Sequence, residues 1–285
     1  MTFFQLIKEG KDILQKAGCE NAEFDSTQLF GFATGLSKTQ IVLNHSKNTD
    51  AGTQKKFFEL IDKRKNGEPL QYIIGAWSFL GFDFFVGRGV LIPRRETETL
   101  VELALSHLNE QKKENPVIYD LCAGTGCIGL SLAKLLPSSE VFLLEIYDDA
   151  LFYLNKNNDS LALKNTKILK NNIFDGPNAL NLPRPDLIIS NPPYVESGQI
   201  SNLQKELEYE PLAALDGGED GLDFYRSLSK DWFPILKEDG FMAMECGESQ
   251  ADEICKIFNS EKFVRCDVYT DLSKIDRFVF ANKYA

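Results

Sequence analysis

The feature that most constrains the fold is a short apolar run that leads directly into a glycine-rich turn. Val117–Leu121 has the residue types of a buried strand, and Gly124 and Gly126 come next, before the residues of a helix that begins near Ile128. Glycine lets backbone approach a ligand closely, and free N–H groups at a helix start favour negative or polar ligand groups. With Gly129 the turn also satisfies GxGxxG, a weak pattern alone. The segment predicts the first strand–turn–helix unit of a doubly wound α/β fold.

From Glu96 onward, strands and helices alternate. The predicted strands are Val117–Leu121, Val141–Glu145, Thr166–Leu169, Asp186–Ser190, Gly240–Glu245, Phe263–Tyr269 and Arg277–Ala281. The predicted helices are Thr97–Gln111, Cys127–Leu136, Asp148–Ser160, Asp223–Leu236 and Gln250–Phe258. This alternation is typical of a parallel sheet covered on both faces. The connection Thr270–Asp276 is too short for a parallel crossover, so the last strand is predicted to be antiparallel to its neighbour.

The residues before this region predict a small helical domain and a hairpin. Helices are predicted over 3–17, over Glu23–Ala33, after Ser37 as N-cap and after Thr49. Aromatic residues interrupted by glycines between Trp77 and Ile92 predict a β-hairpin. The expected domains are therefore residues 1–75 (helical), 76–92 (β-hairpin linker) and 93–285 (α/β).

Composition excludes several classes of protein. The 285 residues carry 31 Lys and Arg against 42 Asp and Glu, a net charge of −11, which disfavours general nucleic-acid binding. No apolar run approaches the ~18 residues of a membrane span, and the first residues lack the pattern of a signal peptide, so we expect a cytoplasmic protein. The six cysteines are scattered without CxxC pairs and there are only two histidines, which predicts reduced thiols and no metal site.

Two carboxylates flank the glycine turn in the predicted sheet. Glu145 ends the strand after the turn, where a carboxylate can accept hydrogen bonds from both hydroxyls of a ribose. Asp120 precedes Gly124 by four residues, in the D-x-x-x-G-x-G arrangement of S-adenosylmethionine enzymes. We expect Asp120 to brace the turn near the amino-acid end of that donor. The structural alternative is a tight turn beside an exposed acid.

A second motif, Asn191-Pro192-Pro193-Tyr194, follows an apolar run that predicts a strand of the same sheet. Ligands bind beyond the carboxyl ends of such strands, so this motif is expected at the same edge as the glycine turn. The Asn191 side-chain oxygen and the Pro192 carbonyl can accept both N–H hydrogens of an NH2 group, which would hold a weakly nucleophilic nitrogen in place. Tyr194 can pack on a planar amide or base. The structural alternative is a rigid Pro-Pro loop with an asparagine cap.

Together these motifs resemble the bacterial peptide chain release factor glutamine N5-methyltransferases, the HemK/PrmC family. Further segments that carry the resemblance are 67–75, 91–98, 208–215 and 217–221. The resemblance implies a seven-stranded Rossmann-like methyltransferase domain, S-adenosylmethionine as donor, S-adenosylhomocysteine as product and no metal. It implies a protein substrate, the glutamine of the Gly-Gly-Gln motif in class I release factors, contacted also by the N-terminal helices. We expect a monomer that binds neither membranes nor nucleic acid directly.

The resemblance also implies the site residues. The expected donor-binding residues are Asp120, Cys122, Ala123, Gly124, Thr125, Gly126, Glu145, Asn172, Ile173 and Asn191, and the expected catalytic residues are Asn191, Pro192, Pro193 and Tyr194. Several positions depart from the family pattern. Cys122 and Ala123 replace Gly and Thr, and Glu145 replaces the commoner Asp. In the turn after the third strand, Asn172 and Ile173 stand where family members often have Asp and then an aromatic residue. Because a non-glycine residue tolerates positive φ poorly, Cys122 is expected to avoid it.

Other readings of the sequence stay open. An amino-group methyltransferase acting on adenine N6 or guanine N2, or on a glutamine of a ribosomal protein, would share both motifs, and a silent module could keep the fold alone. We interpret Glu208, Glu210, Glu219 and Asp220 as a solvated loop and Glu245-Cys246-Gly247 as structural. His45 and His107 are expected on the surface.

Overall fold

The computed structural model of the protein describes residues 1–202, 205–259 and 264–284. The chain divides into two units. The first is Met1–Ala76 together with the short segment that ends at Tyr209, and the second contains the rest of the chain from Trp77 onward.

The first unit is helical, as predicted. Its helices are α1 (Phe3–Lys16), α2 (Ala22–Thr34), α3 (Lys38–Leu43), α4 (Ala51–Lys65) and α5 (Leu70–Ile74). Ser37 caps α3 as expected, in a reciprocal capping box with Gln40. The rings of Phe3 and Phe57 both pack on Phe30, with centroids 4.9 and 5.8 Å away, and form the aromatic centre of this unit's core.

The second unit begins with the predicted hairpin and continues as an α/β domain. Its strands are β1 (Ala76–Phe79), β2 (Phe82–Phe85), β3 (Val117–Leu121), β4 (Glu140–Glu145), β5 (Thr166–Lys170), β6 (Leu187–Ser190), β7 (Phe241–Glu245), β8 (Val264–Thr270) and β9 (Asp276–Lys283). Its α-helices are α6 (Arg95–Glu110), α7 (Cys127–Leu135), α8 (Asp148–Leu161), α9 (Asp223–Ser227) and α10 (Ala251–Asn259).

The main sheet has seven strands in the order β5-β4-β3-β6-β7-β9-β8. The five strands from β5 to β7 are parallel, and β9 is antiparallel to both of its neighbours, which confirms the prediction for the last strand. Alternate residues of each strand serve opposite faces. Ile118 packs into one core with α6, α7 and α8, whereas Tyr119 packs into the other with Trp232 and α10. The sheet is therefore buried on both faces and its carboxyl edge is left for a ligand.

Three predictions about this domain need correction or limits. The helix expected over Asp223–Leu236 is composite, because after α9 the chain forms a π-helical turn (Leu228–Trp232) and a 3-10 turn that contains Pro234. His45 is exposed as expected, but His107 is half-buried with its ring 4.5 Å from that of Phe241. Phe263, the predicted start of a strand, lies outside the described residues.

None of the described helices is both long and apolar enough to cross a membrane. None of the six cysteines, which all lie among the described residues, is joined to another by a disulfide bond.

Candidate active site

A cavity of about 190 Å³ opens at the carboxyl ends of the parallel strands. One water needs only ~10–15 Å³ by this measure, so the space suits a ligand. Of the predicted site residues, nine line it: Cys122, Ala123, Gly124, Thr125, Glu145, Asn172, Ile173, Asn191 and Pro193. Asp120, Gly126, Pro192 and Tyr194 are not among the lining residues. The two motifs, which lie far apart in the sequence, thus meet at one cavity.

The glycine turn connects β3 to α7 through alternating left-handed residues. Cys122 has φ +61°, Gly124 +55° and Gly126 +79°. The expectation that Cys122 avoids positive φ is therefore wrong. The turn is bonded to the neighbouring strand β4, since the Ala123 N–H donates to the Leu144 carbonyl, and this contact overrides the local preference of cysteine.

Replacing Cys122 by valine is expected to lower the free energy of unfolding by about 2 kcal/mol, because a β-branched residue is strained at this φ. Cys122→Gly is expected to stay within about 1 kcal/mol of the wild type, since glycine adopts this φ freely. Urea unfolding would measure both. Cys266→Val, the same exchange in strand β8, is the control. Equal losses at the two positions would contradict the argument.

Asp120 supports the turn from beneath. Its carboxylate is fully buried, and Oδ2 accepts a hydrogen bond of 2.8 Å from the Gly129 N–H, while Oδ1 has no hydrogen-bond partner. Burial raises the pKa of Asp120 to about 7, and the charge of Glu145 adds to the shift. The bracing role that the sequence predicts is visible in this contact, whereas direct contact with a ligand stays a prediction.

Glu145 links the turn to the end of β4. Its Oε2 accepts from the Gly124 N–H at 2.9 Å, and Oε1 accepts from the N–H groups of Ile146 and Tyr147 at 2.7 and 2.9 Å. These bonds use three of the roughly four lone-pair positions of a carboxylate. The remaining position lies on Oε2, beside the glycine turn.

The turn after β5 completes this side of the cavity. Asn172 caps a 3-10 turn, since its Oδ1 accepts from the Phe174 N–H at 3.1 Å, and Ile173 lines the cavity as a buried apolar side chain. The neighbouring Asn171 also lines the cavity, and its Oδ1 is buried without a hydrogen-bond partner. A buried acceptor without a donor is costly, so a ligand that brings a hydroxyl or amino group would satisfy it.

Asn191 is held from the cavity wall. Its Nδ2 donates to Thr97 Oγ1 at 3.2 Å, and Thr97 in turn donates to Glu245 Oε2 at 2.6 Å. Both partners are buried. Sequence reasoning missed Thr97 and interpreted Glu245 as structural. The resemblance of segment 91–98 to the family was the one signal that pointed to this region.

Tyr194 is mostly enclosed by protein. Its ring packs against the core beneath the sheet, its carbonyl accepts from Gln250 Nε2 at 3.0 Å, and burial raises the pKa of its phenol to about 12. Tyr194 therefore stays protonated at neutral pH. Its stacking on a substrate amide stays a prediction.

An ion pair closes the opposite wall. Glu210 is buried, pairs with the Arg94 guanidinium and accepts from the Ile92 N–H at 3.1 Å. The interpretation of this loop as solvated is correct for Glu208, Glu219 and Asp220, which are exposed, and wrong for Glu210.

Glu210→Gln is expected to lower the free energy of unfolding by about 2 kcal/mol. Glutamine has only one acceptor oxygen. Its NH2 group would therefore face one of the two donors, the Arg94 guanidinium or the Ile92 N–H. Glu208→Gln, an exposed control, should change stability by less than ~0.5 kcal/mol. Urea unfolding of the pair of variants tests this, and similar values for the two would show that the buried ion pair is unimportant.

The lining as a whole fits a nucleoside-like ligand. Acceptors at Glu145 and Asn171 suit hydroxyl or amino groups, and Ile146 and Ile173 offer apolar surface to a flat ring. Among the residues that the structure describes, no group of three or more His, Cys, Asp or Glu side chains is arranged to hold a metal ion.

Comparisons with known proteins agree with this arrangement. The family model described as PrmC N-terminal domain matches residues 5–75, and the one described as Methyltransferase small domain matches residues 95–217.

Two curated relatives are similar over nearly their whole length. The release factor glutamine methyltransferase of Clostridium acetobutylicum is 36% identical over 268 residues, covering 92% of this chain and 92% of the relative. That of Clostridium botulinum is 34% identical over 295 residues, covering 100% of both chains. A solved methyltransferase from Pyrococcus furiosus, 16% identical with a TM-score of 0.52, covers 73% of this chain and 92% of that one, and it shares the fold.

Proposed function

The chain belongs to the family of release factor glutamine methyltransferases, and from that premise we propose its reaction. It transfers a methyl group from S-adenosylmethionine to the side-chain amide nitrogen (N5) of the glutamine in the Gly-Gly-Gln motif of class I peptide chain release factors. The observation that carries the proposal is the meeting of Asn191 and the glycine turn at one cavity.

The donor would lie between the glycine turn and the turn after β5. The glycine turn would border its amino-acid end, Glu145 would accept from a ribose hydroxyl, and Asn172 and Ile173 would border the adenine. When bound, the donor supplies a methyl group made electrophilic by a sulfonium. The products are N5-methylglutamine, S-adenosylhomocysteine and one proton, which the methylated nitrogen gives up to solvent, and no residue of the chain needs to form a covalent intermediate.

The amide nitrogen is a poor nucleophile because its lone pair is delocalised into the carbonyl. Asn191 Oδ1 and the Pro192 carbonyl would accept its two N–H hydrogens, hold the nitrogen still and favour a lone pair directed at the methyl group. Pro193, which lines the cavity, and Tyr194 would shape the surface for the planar amide. Catalysis would then rest on positioning and on electrostatic complementarity.

The chain would consist of a helical unit (1–75), a hairpin linker (76–92) and a catalytic domain (93–285). The helical unit would recognise the release factor. The helical unit exposes several large apolar side chains, namely Phe4, Phe24, Phe32, Val42 and Leu43, which suit contact with a protein partner. A monomeric state, a cytoplasmic location and the absence of direct nucleic-acid binding belong to the same proposal.

Labelled S-adenosylmethionine tests the proposal with a class I release factor and its Gly-Gly-Gln→Gly-Gly-Ala variant. We expect label on the glutamine form alone. Parallel reactions contain RNA, DNA or ribosomal protein. Label on one of these, with none on the release factor, would overturn the substrate and favour the nucleic-acid or ribosomal-protein alternative.

A further inference from the structure

A buried chain of hydrogen bonds runs from Asn191 into the protein interior. Asn191 Nδ2 donates to Thr97 Oγ1 at 3.2 Å, and the Thr97 hydroxyl donates to Glu245 Oε2 at 2.6 Å. Thr97 opens the first turn of α6, and Glu245 is the last residue of β7, so elements far apart in sequence build the chain. Thr97 and Glu245 are each only 2% exposed. If one of them lost its hydrogen-bond partner, solvent water could hardly replace it.

The direction of this chain follows from chemistry. An ionised carboxylate only accepts hydrogen bonds, and a threonine hydroxyl has one hydrogen to give. When Thr97 gives that hydrogen to Glu245, its oxygen can only accept from Asn191. The Asn191 amide must therefore present Nδ2 to Thr97, and Oδ1 is the amide atom left to the substrate.

We propose that Thr97 and Glu245 are positioning residues that fix the Asn191 amide with its oxygen towards the substrate NH2 group. This inference rests on the proposed function. In the flipped amide, an NH2 group would meet the substrate NH2 group, two donors would face each other, and transfer would stop. A protonated Glu245 could donate to Thr97, reverse the chain and permit that flip.

The surroundings of Glu245 make this reversal accessible near neutral pH. Burial raises the pKa of Glu245 to about 7 against the opposing hydrogen bond from Thr97. The other charged and titratable groups that act on it or lie beside it are Arg94, Glu96, Cys127, Tyr194, Tyr225, Cys246 and Arg277. Since the active form is the ionised one, kcat should rise as pH increases through about 7 and then level off.

Thr97→Val and Thr97→Ser provide the kinetic test. Valine keeps the shape without the hydroxyl, so we expect kcat to fall about 10- to 100-fold, with the KM for release factor within about 2-fold. Serine restores the hydroxyl and should recover most of kcat. Thr166→Val is the matched control, because Thr166 lies on β5 and its hydroxyl donates to Asn158 of α8, and this variant should keep full activity.

Glu245→Gln adds a pH profile. Because glutamine does not titrate, the rise in kcat between pH 6 and 8 should flatten. The pKa of Asp120 is also raised to about 7, but Asp120 is unchanged in this variant. A flat profile of kcat against pH would therefore show that Glu245 causes the rise. Wild-type kcat that is independent of pH in this range, or a rise that survives in Glu245→Gln, would overturn this role of Glu245.

A readout without substrate separates this inference from the proposed function. In protein labelled with ¹⁵N-asparagine, the Asn191 NH2 signals are those lost in Asn191→Ala. We expect Thr97→Val to shift these signals and Thr97→Ser to leave them near their original positions. Unchanged signals in Thr97→Val, or full kcat in that variant, would overturn the inference. Absence of transfer by the wild type, with the shift still present, would overturn the substrate assignment alone.

Discussion

Asn191→Ala is expected to reduce methyl transfer to the release factor by about 10²–10³-fold. The variant removes the acceptor that would hold the substrate NH2 group, and it also removes the Nδ2 group that bonds to Thr97. Binding of S-adenosylhomocysteine should change by less than about 3-fold, since the glycine turn and Glu145 are untouched. Single-turnover transfer of label and calorimetric titration measure the two quantities.

Asn155→Ala, on the exposed side of α8, is the matched asparagine control and should behave as wild type. Asn191→Asp offers a second variant, because aspartate keeps an acceptor oxygen but cannot donate to Thr97. It should also lose most activity. Full transfer by Asn191→Ala would show that the amide is not the group that positions the substrate. Loss of donor binding in the same variant would show that Asn191 acts on the donor instead.

Local patterns were sufficient to predict the scaffold and half of the site. In strands such as β3 and β4, apolar runs indicate burial on both faces, and Gly124 and Gly126 indicate a turn with left-handed backbone, which glycine favours. The rule that ligands bind at the carboxyl edge then places Glu145 and Asn191 together. The structure confirms that these two residues share one cavity.

The remaining features depend on contacts between residues far apart in sequence. Glu210 pairs with Arg94 across 116 residues, and Glu245 accepts from Thr97 across 148. No periodicity within one segment carries such information, and a charged residue in a loop resembles a solvated one until its partner is known. The error at Cys122 has the same origin, since the neighbouring strand imposes a φ that the residue disfavours.

Gly221→Ala is expected to have the second large effect, because this glycine touches the backbone of the Asn-Pro-Pro-Tyr motif. Gly221 has φ +72°, and an added Cβ would lie 2.4 Å from the Tyr194 carbonyl oxygen and 2.6 Å from Gln250 Nε2. Neither the left-handed conformation nor the close approach accommodates a methyl group. The alanine should cost about 2–4 kcal/mol of the free energy of unfolding, from strain and displaced backbone together.

The same displacement should reach the reaction. A shift of about 1 Å at Tyr194 misplaces the substrate amide, so kcat is expected to fall about 10²-fold at a temperature where the variant is folded. Gly198→Ala is the matched control, because its added Cβ meets nothing within 4 Å and it lies at ordinary φ. It should change stability by less than about 0.5 kcal/mol and leave kcat unaltered. If Gly221→Ala has a lower free energy of unfolding but keeps full kcat when folded, the glycine serves stability alone. If it matches Gly198→Ala in both measurements, the motif tolerates movement of its supporting loop.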